Sequence, residues 1–87
     1  MTDVSEDVEA AVLAHPDVAR LDGAFASYLP GRRVLGVRVG ARVEVAVVLR
    51  TGRPVREVVA ELRARVTRVA GAAPVDVVVA DLEWESW

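Results

Sequence analysis

The sequence predicts an α+β domain in which two helices pack on a small mixed sheet. Apolar residues alternate at period two through residues 34–39 and 43–50, which is the spacing of strands with one buried face. The period becomes helical between Pro54 and Gly71. At 87 residues the chain predicts a single domain, 1–87, with its core within about residues 4–82.

The elements are predicted in the order α-β-β-β-α-β, which gives a sheet of three to four strands. The first helix is capped by Asp3 or Ser5 and ends near Ala14, because the residue before a proline is disfavoured in a helix. A short strand is predicted over residues 18–22, and the long connection 23–31 ends in a Pro-Gly turn.

The segment 34–50 predicts a β-hairpin whose register follows from its apolar pattern. A two-residue turn would place Val37 opposite Glu44, whereas a three-residue loop over residues 40–42 sets valine opposite valine. The predicted pairs are Val39 with Val43, Val37 with Val45 and Leu35 with Val47 on one face, and Arg38 with Glu44 and Val34 with Val48 on the other.

The second helix is predicted to begin after a cap at Thr51 or Gly52 and to end at Gly71. Its apolar face comprises Val55, Val58, Val59, Leu62, Val66 and Val69. The last strand, residues 75–80, should run parallel to residues 43–50 after a right-handed crossover. Beyond Ala80 the core-facing positions become acidic, so the strand is expected to leave the core. Residues 83–87 are expected either to fray or to lie on the second face of the sheet.

The composition excludes several classes of site. The chain has no cysteine, so disulfides, thiolate nucleophiles and cysteine-bound metals are ruled out. No run of about 18 apolar residues is present to span a bilayer, and the acidic start lacks the layout of a signal peptide. A cytoplasmic location without direct membrane insertion is therefore expected.

All eleven basic residues are arginines, which is typical of GC-rich genomes. They concentrate in the middle: residues 31–70 carry ten arginines and three acids, whereas residues 1–30 carry six acids and one arginine. This segregation either neutralises itself in the fold or serves an anionic partner. In the second case the chain would be a small nucleic-acid-binding module that uses Arg38, Arg42, Arg53, Arg56 and Arg63.

The residues point to no catalytic, cofactor or metal site. His15 is the single histidine and is expected to be solvated at a helix end, with only Asp17 as a nearby metal ligand. The glycines form no phosphate-binding or dinucleotide motif. Phe25 and Tyr28 are expected to anchor the long connection to the core. A small-molecule site under residues 23–31 is the weakest alternative.

One sheet face is predicted to work in self-association or in contact with a protein partner. It carries Val34, Val48 and Val78 with the small residues Gly36, Ala46 and Ala80, and continues to Leu82 and Trp84. If both helices pack on the opposite face, this apolar patch is exposed and is typical of an interface. The alternative is that the first helix or the tail covers it.

The order of these segments resembles the alkaline shock protein family of bacterial envelope-stress-response proteins, in a short variant of high-GC bacteria. The resemblance covers about residues 6–82 and lies in 16–21 (Pro-Asp-Val-Ala-Arg-Leu), 43–49, 52–58 and 74–79. It departs at Thr51, where an aromatic residue is common, and in the absence of an extended charged tail. It implies a non-enzymatic cytoplasmic scaffold that self-associates or binds protein partners, among them a membrane-anchored one.

Overall fold

The computed structural model describes residues 3–84 and confirms the α+β class. The predicted tail falls partly outside this range, at residues 85–87. The elements in chain order are α1 Val4–Leu13, β1 Val18–Leu21, β2 Ala26–Leu29, β3 Arg32–Leu35, β4 Val37–Val39, β5 Val43–Arg50, α2 Val55–Ala70 and β6 Val75–Glu83. Two strands, β2 and β3, occupy the part of the chain that was predicted as a long connection and the start of the hairpin.

The main sheet is built around β5, which is buried along almost its whole length. On one side β6 runs parallel to β5 from end to end, as predicted. On the other side β4 pairs with the first half of β5 and β1 with the second half, both antiparallel. The two helices pack together over the face of β5 that carries Val43, Val45, Val47 and Leu49.

The predicted hairpin register is confirmed in β4 and fails in β3. Val37 lies opposite Val45 and Val39 opposite Val43. Leu35 and Val34, however, pair with Ala26 and Ser27 of β2 instead of reaching Val47 and Val48. The chain turns at Gly36, which separates the two strands.

Residues 22–36 leave the sheet and return to it at a single residue of β5. The Asp22 N–H donates to the carbonyl of Ala46, and the Ala46 N–H donates to the carbonyl of Gly36, both at 2.8 Å. Gly36 has φ +71°, and a Cβ there would lie 2.8 Å from the carbonyl oxygens of Ala46 and Asp22. The β2–β3 hairpin is therefore bonded at both of its ends to one residue, Ala46, and its return to the sheet requires a glycine at position 36.

The predicted helix ends are confirmed at Asp3 and Gly71 but not at the start of α2. The Asp3 side chain caps α1 by accepting the Ser5 N–H at 2.9 Å, and Gly71 ends α2 with φ +83°. The α2 cap is Pro54 rather than Thr51 or Gly52. Val58, Leu62 and Val66 form the buried face of α2, whereas Val55 and Val69, at its two ends, are exposed.

The expectation that the last strand leaves the core after Ala80 is wrong. A bulge between Val79 and Asp81 shifts the register by one residue, so that Leu82 lies opposite Leu49. Leu82 therefore packs against the core, and Asp81 and Glu83 take the outer face. One inserted residue reverses which side chains face inward.

Candidate functional site

Several arginines proposed for anion binding already bind acceptors within the chain. Arg38 pairs with Glu44, and its guanidinium lies 4.7 Å from the centre of the Phe25 ring. Arg42 donates two hydrogen bonds to Asp76, at 2.7 and 2.8 Å, which hold the pKa of that carboxyl below its ordinary value. The outer face of the sheet thus neutralises its own charge at these positions.

The other proposed arginines divide in the same way. Arg53 donates to both oxygens of Glu61, at 2.9 and 2.6 Å. Arg63 donates to the carbonyl of Val75 at 3.2 Å. Arg56 is exposed and has no ion pair among residues 3–84. The structure therefore brings together no cluster of free guanidinium groups from the five.

The predicted apolar face is largely buried. Val34 lies on the helix-covered side, in the core, because β3 is not a continuation of β4. Val48 lies on the outer face but is also buried. Its cross-strand neighbours there are Arg20 and Asp81, and Arg20 reaches Glu83 at 2.6 Å across β5. The expectation that Val34 and Val48 share an exposed surface is wrong.

The remaining members of that face do not form a continuous surface with them. Leu82 is half-buried against the core. Val78 is 47% exposed, and Trp84, just beyond β6, is 76% exposed. These two side chains stay available to a partner.

His15 is buried, contrary to the expectation of a solvated helix-end histidine; it is 2% exposed. Its Nδ1 accepts the Asp17 N–H at 3.0 Å, and its Nε2 lies 2.7 Å from a carboxylate oxygen of Glu61. Because a peptide N–H can only donate, Nδ1 is the acceptor and the ring proton is on Nε2, which donates to Glu61. The imidazole joins the end of α1 to α2.

A guanidinium completes this cluster. Arg53 bonds to Glu61 and also to Asp17, the latter at 3.0 Å. The hydrogen bonds from Arg53 and then from His15 lower the pKa of Glu61 to about 2. Within residues 3–84 no group of three His, Cys, Asp or Glu side chains is arranged to hold a metal ion. The cluster is closed, because each of its members binds another.

A cleft of about 430 Å³ lies at the opposite end of α1. We call it the edge cleft; it is lined by Asp3, Val4, Ser5, Ser27, Tyr28, Leu29 and Val39. The start of α1, strand β2 and the end of β4 therefore each contribute to its wall. Val4, Tyr28 and Val39 are exposed, and Tyr28 is 78% exposed, so it does not anchor the chain to the core as predicted.

The backbone of Val39 faces away from β5 in the edge cleft. The Val43 N–H, opposite Val39, donates to Pro74 on the β6 side. Val39 and Val43 are thus a pair without hydrogen bonds between them, and the ladder bonds flank it. One of these runs from the Gly40 N–H to the Arg42 carbonyl. β5 uses neither the N–H nor the C=O of Val39.

Strand β2 lies beside this edge without pairing with it. The Ser27 hydroxyl donates a hydrogen bond to the carbonyl of Val37 at 2.5 Å, which links the two strands. Within the described part of the chain, β2 forms its ladder with β3 alone. Beyond Ser27, at Tyr28 and Leu29, β2 and Val39 line the cleft together. No motif indicates this arrangement, since its three segments are far apart in the chain.

None of the protein-family models, curated proteins or solved structures compared with this chain matches it. The region that the structure describes also contains no helix long and apolar enough to cross a membrane. Inferences about function therefore rest on the geometry of the edge cleft, on the distribution of charge and on the sequence resemblance.

Proposed function

We propose that this domain is a non-enzymatic interaction protein of the bacterial envelope-stress-response type, acting in the cytoplasm through self-association or a protein partner. The observation that carries the proposal is the convergence of exposed apolar side chains on the edge cleft. Val4, Tyr28 and Val39 come from three separate elements and meet there. A concave site that combines apolar side chains with polar groups is typical of binding sites.

The proposal that the domain is not an enzyme is supported by serine and histidine side chains whose polar groups bond within the fold. Ser5 and Ser27 in the cleft donate to Asp3 and to the Val37 carbonyl, so their hydroxyls serve the fold. The His15 ring is buried and bonded on both nitrogens. A general base must reach its substrate, and this imidazole has no free nitrogen to offer. The envelope-stress role and the membrane-anchored partner rest on the resemblance to the alkaline shock family.

Site-specific photo-crosslinking tests the proposal. A benzophenone amino acid at position 28 should give protein adducts in living cells, and the same group at the exposed Ala60 of α2 serves as the control. Mass spectrometry of the adducts then identifies either a second copy or a partner. Equal labelling from both positions, with a monomer by light scattering, would contradict a protein-binding role for the cleft.

A further inference from the structure

We propose that the edge cleft binds an extended peptide segment of a partner protein as an added strand beside β4, with a basic side chain of that peptide next to Asp3. This inference rests on the proposed function and names the partner's chemistry at the same site. Strand addition takes its affinity from main-chain hydrogen bonds and its specificity from side-chain pockets. The edge cleft offers both.

The main-chain groups come from Val39. Its N–H and C=O point away from β5, and among residues 3–84 no strand pairs with β4 on that side. They are spaced as an edge strand presents them, so an incoming strand can bond to both. Val4, Tyr28 and Leu29 surround this position with apolar surface that would hold alternate side chains of the peptide.

The charge preference comes from Asp3. The hydrogen bonds from Ser5 use only Oδ1 of its carboxylate and lower its pKa, so the group is an anion. By contrast, Glu6 and Glu9 farther along α1 are neutralised by Arg32. Of the residues between 3 and 84 that line the cleft, Asp3 is the charged one, and a lysine or arginine of the peptide complements it.

The opposite edge of the main sheet, which β6 forms, is less suited to a partner strand. β6 carries a bulge between Val79 and Asp81, and acidic side chains at Asp76, Asp81 and Glu83. Bulges and charges are the devices by which edge strands avoid pairing. β4 has neither the bulge nor the row of acidic side chains, and the edge cleft lies beside it. This difference favours the assignment of the peptide to the β4 edge.

The probe is the peptide acetyl-Thr-Val-Arg-Val-Thr-amide, added to the ¹⁵N-labelled full-length protein. We expect it to shift the amide signals of Val39 and Tyr28 and to slow hydrogen exchange at the Val39 N–H. Methylation of the peptide nitrogens on alternate residues should weaken binding about tenfold for one of the two patterns, because only one edge of the peptide faces β4. Asparagine caps a helix as well as aspartate, so Asp3→Asn removes only the charge and should also weaken binding severalfold.

Two further variants sharpen the test. Val39→Pro removes an N–H that β5 does not use, and it should abolish binding. Val78→Thr, on the exposed part of β6, is the matched control and should leave affinity unchanged. If Val39→Pro does not fold, the methylated peptides and Asp3→Asn still decide the question.

Four outcomes would overturn the inference. Exchange protection along β6 would place the peptide at the wrong edge. Tighter binding of the peptide with glutamate in place of arginine would mean that Arg33, opposite Tyr28 on the hairpin, sets the preference. Equal affinity of all methylated peptides would exclude a strand. Protection of Val39 by dimerisation without peptide would make the occupant a second copy. Crosslinks from position 28 together with any of these outcomes would reject the added strand and leave the proposed function standing. A bound peptide without crosslinks from position 28 would support the strand geometry and contradict the proposed function.

Discussion

The two ends of α1 differ in how far the chain satisfies its own polar groups. At the carboxyl end His15, Asp17, Arg53 and Glu61 bind one another, and Arg50 adds bonds to the Pro16 and Val18 carbonyls, at 3.0 and 2.8 Å. At the amino end, the N–H and C=O of Val39 face away from β5, and the apolar residues Val4, Tyr28 and Val39 are exposed. The carboxyl end therefore satisfies its polar groups within the chain, whereas the amino end presents groups that a partner can contact.

The same contrast runs along one edge of β5. β1 occupies the half of this edge that lies near His15, and β4 occupies the half near the cleft. Ala46 lies between them and bonds to both Asp22 and Gly36. The junction at Ala46 therefore separates the closed end from the open end, and disrupting it should have the largest effect.

Gly36→Ala should be the most destabilising single change at this junction. Gly36 and Gly31 have almost the same φ, +71° and +72°, but a Cβ at 36 meets two carbonyl oxygens at 2.8 Å, whereas one at 31 meets nothing within 4 Å. We expect about 1 kcal/mol of strain at Gly31→Ala and about 3 kcal/mol or more at Gly36→Ala. Urea denaturation of both variants measures the difference. Equal free energies of unfolding would mean that the hairpin is not held at Ala46.

His15→Ala should open the closed end. It removes a buried ring and leaves the Asp17 N–H without its acceptor, so we expect a loss of about 2–4 kcal/mol in the free energy of unfolding. Leu13→Ala, an exposed position at the same end of α1, is the control and should lie within about 0.5 kcal/mol of wild type. Long-range ¹H–¹⁵N correlation spectra should show the ring proton on Nε2. A free energy equal to that of the control would make the cluster a surface feature.

The pH dependence of stability should also reflect the His15 cluster, with a smaller effect than that of His15→Ala. The hydrogen bond from Arg53, and to a smaller extent that from His15, lowers the pKa of Glu61 from 4.5 to about 2. Ionised Glu61 therefore favours the folded state above pH 4.5, and this contribution is lost as the pH falls to about 2. The difference in melting temperature between wild type and Glu61→Gln should be largest near neutral pH and shrink in acid. Glu57→Gln, exposed on the same helix, is the control for loss of charge. A difference independent of pH would contradict the carboxylate's role.

The pattern of residues predicted the parts of the fold that depend on local repetition. Alternating valines were sufficient to place Val37 opposite Val45, and the helical spacing identified Val58, Leu62 and Val66 as the buried side of α2. Each of these inferences uses side chains that the strand or helix itself places on one face. In the strands, only one register then buries these side chains together.

The features that escaped prediction depend on contacts between distant residues or on one unusual dihedral. The burial of His15 depends on Glu61, 46 residues away, and nothing near His15 indicates this partner. The β2–β3 hairpin depends on the turn at Gly36, which looks like an ordinary small residue within a strand. Likewise, the bulge after Val79 returned Leu82 to the core where acidic neighbours suggested an exit. The edge cleft combines three such segments, so the sequence alone could not define it.

The smallest expected effect concerns nucleic acid. Arg38, Arg42 and Arg53 already bind carboxylates, and an anionic polymer would have to displace them to gain the same contacts. Fluorescence anisotropy with a random-sequence DNA duplex near physiological salt should therefore give a Kd weaker than about 10⁻⁴ M. The double variant Arg56→Ala with Arg63→Ala should behave like wild type. Micromolar binding that falls steeply with salt and disappears in this variant would show that α2, and not the open end of α1, is the surface that meets the partner.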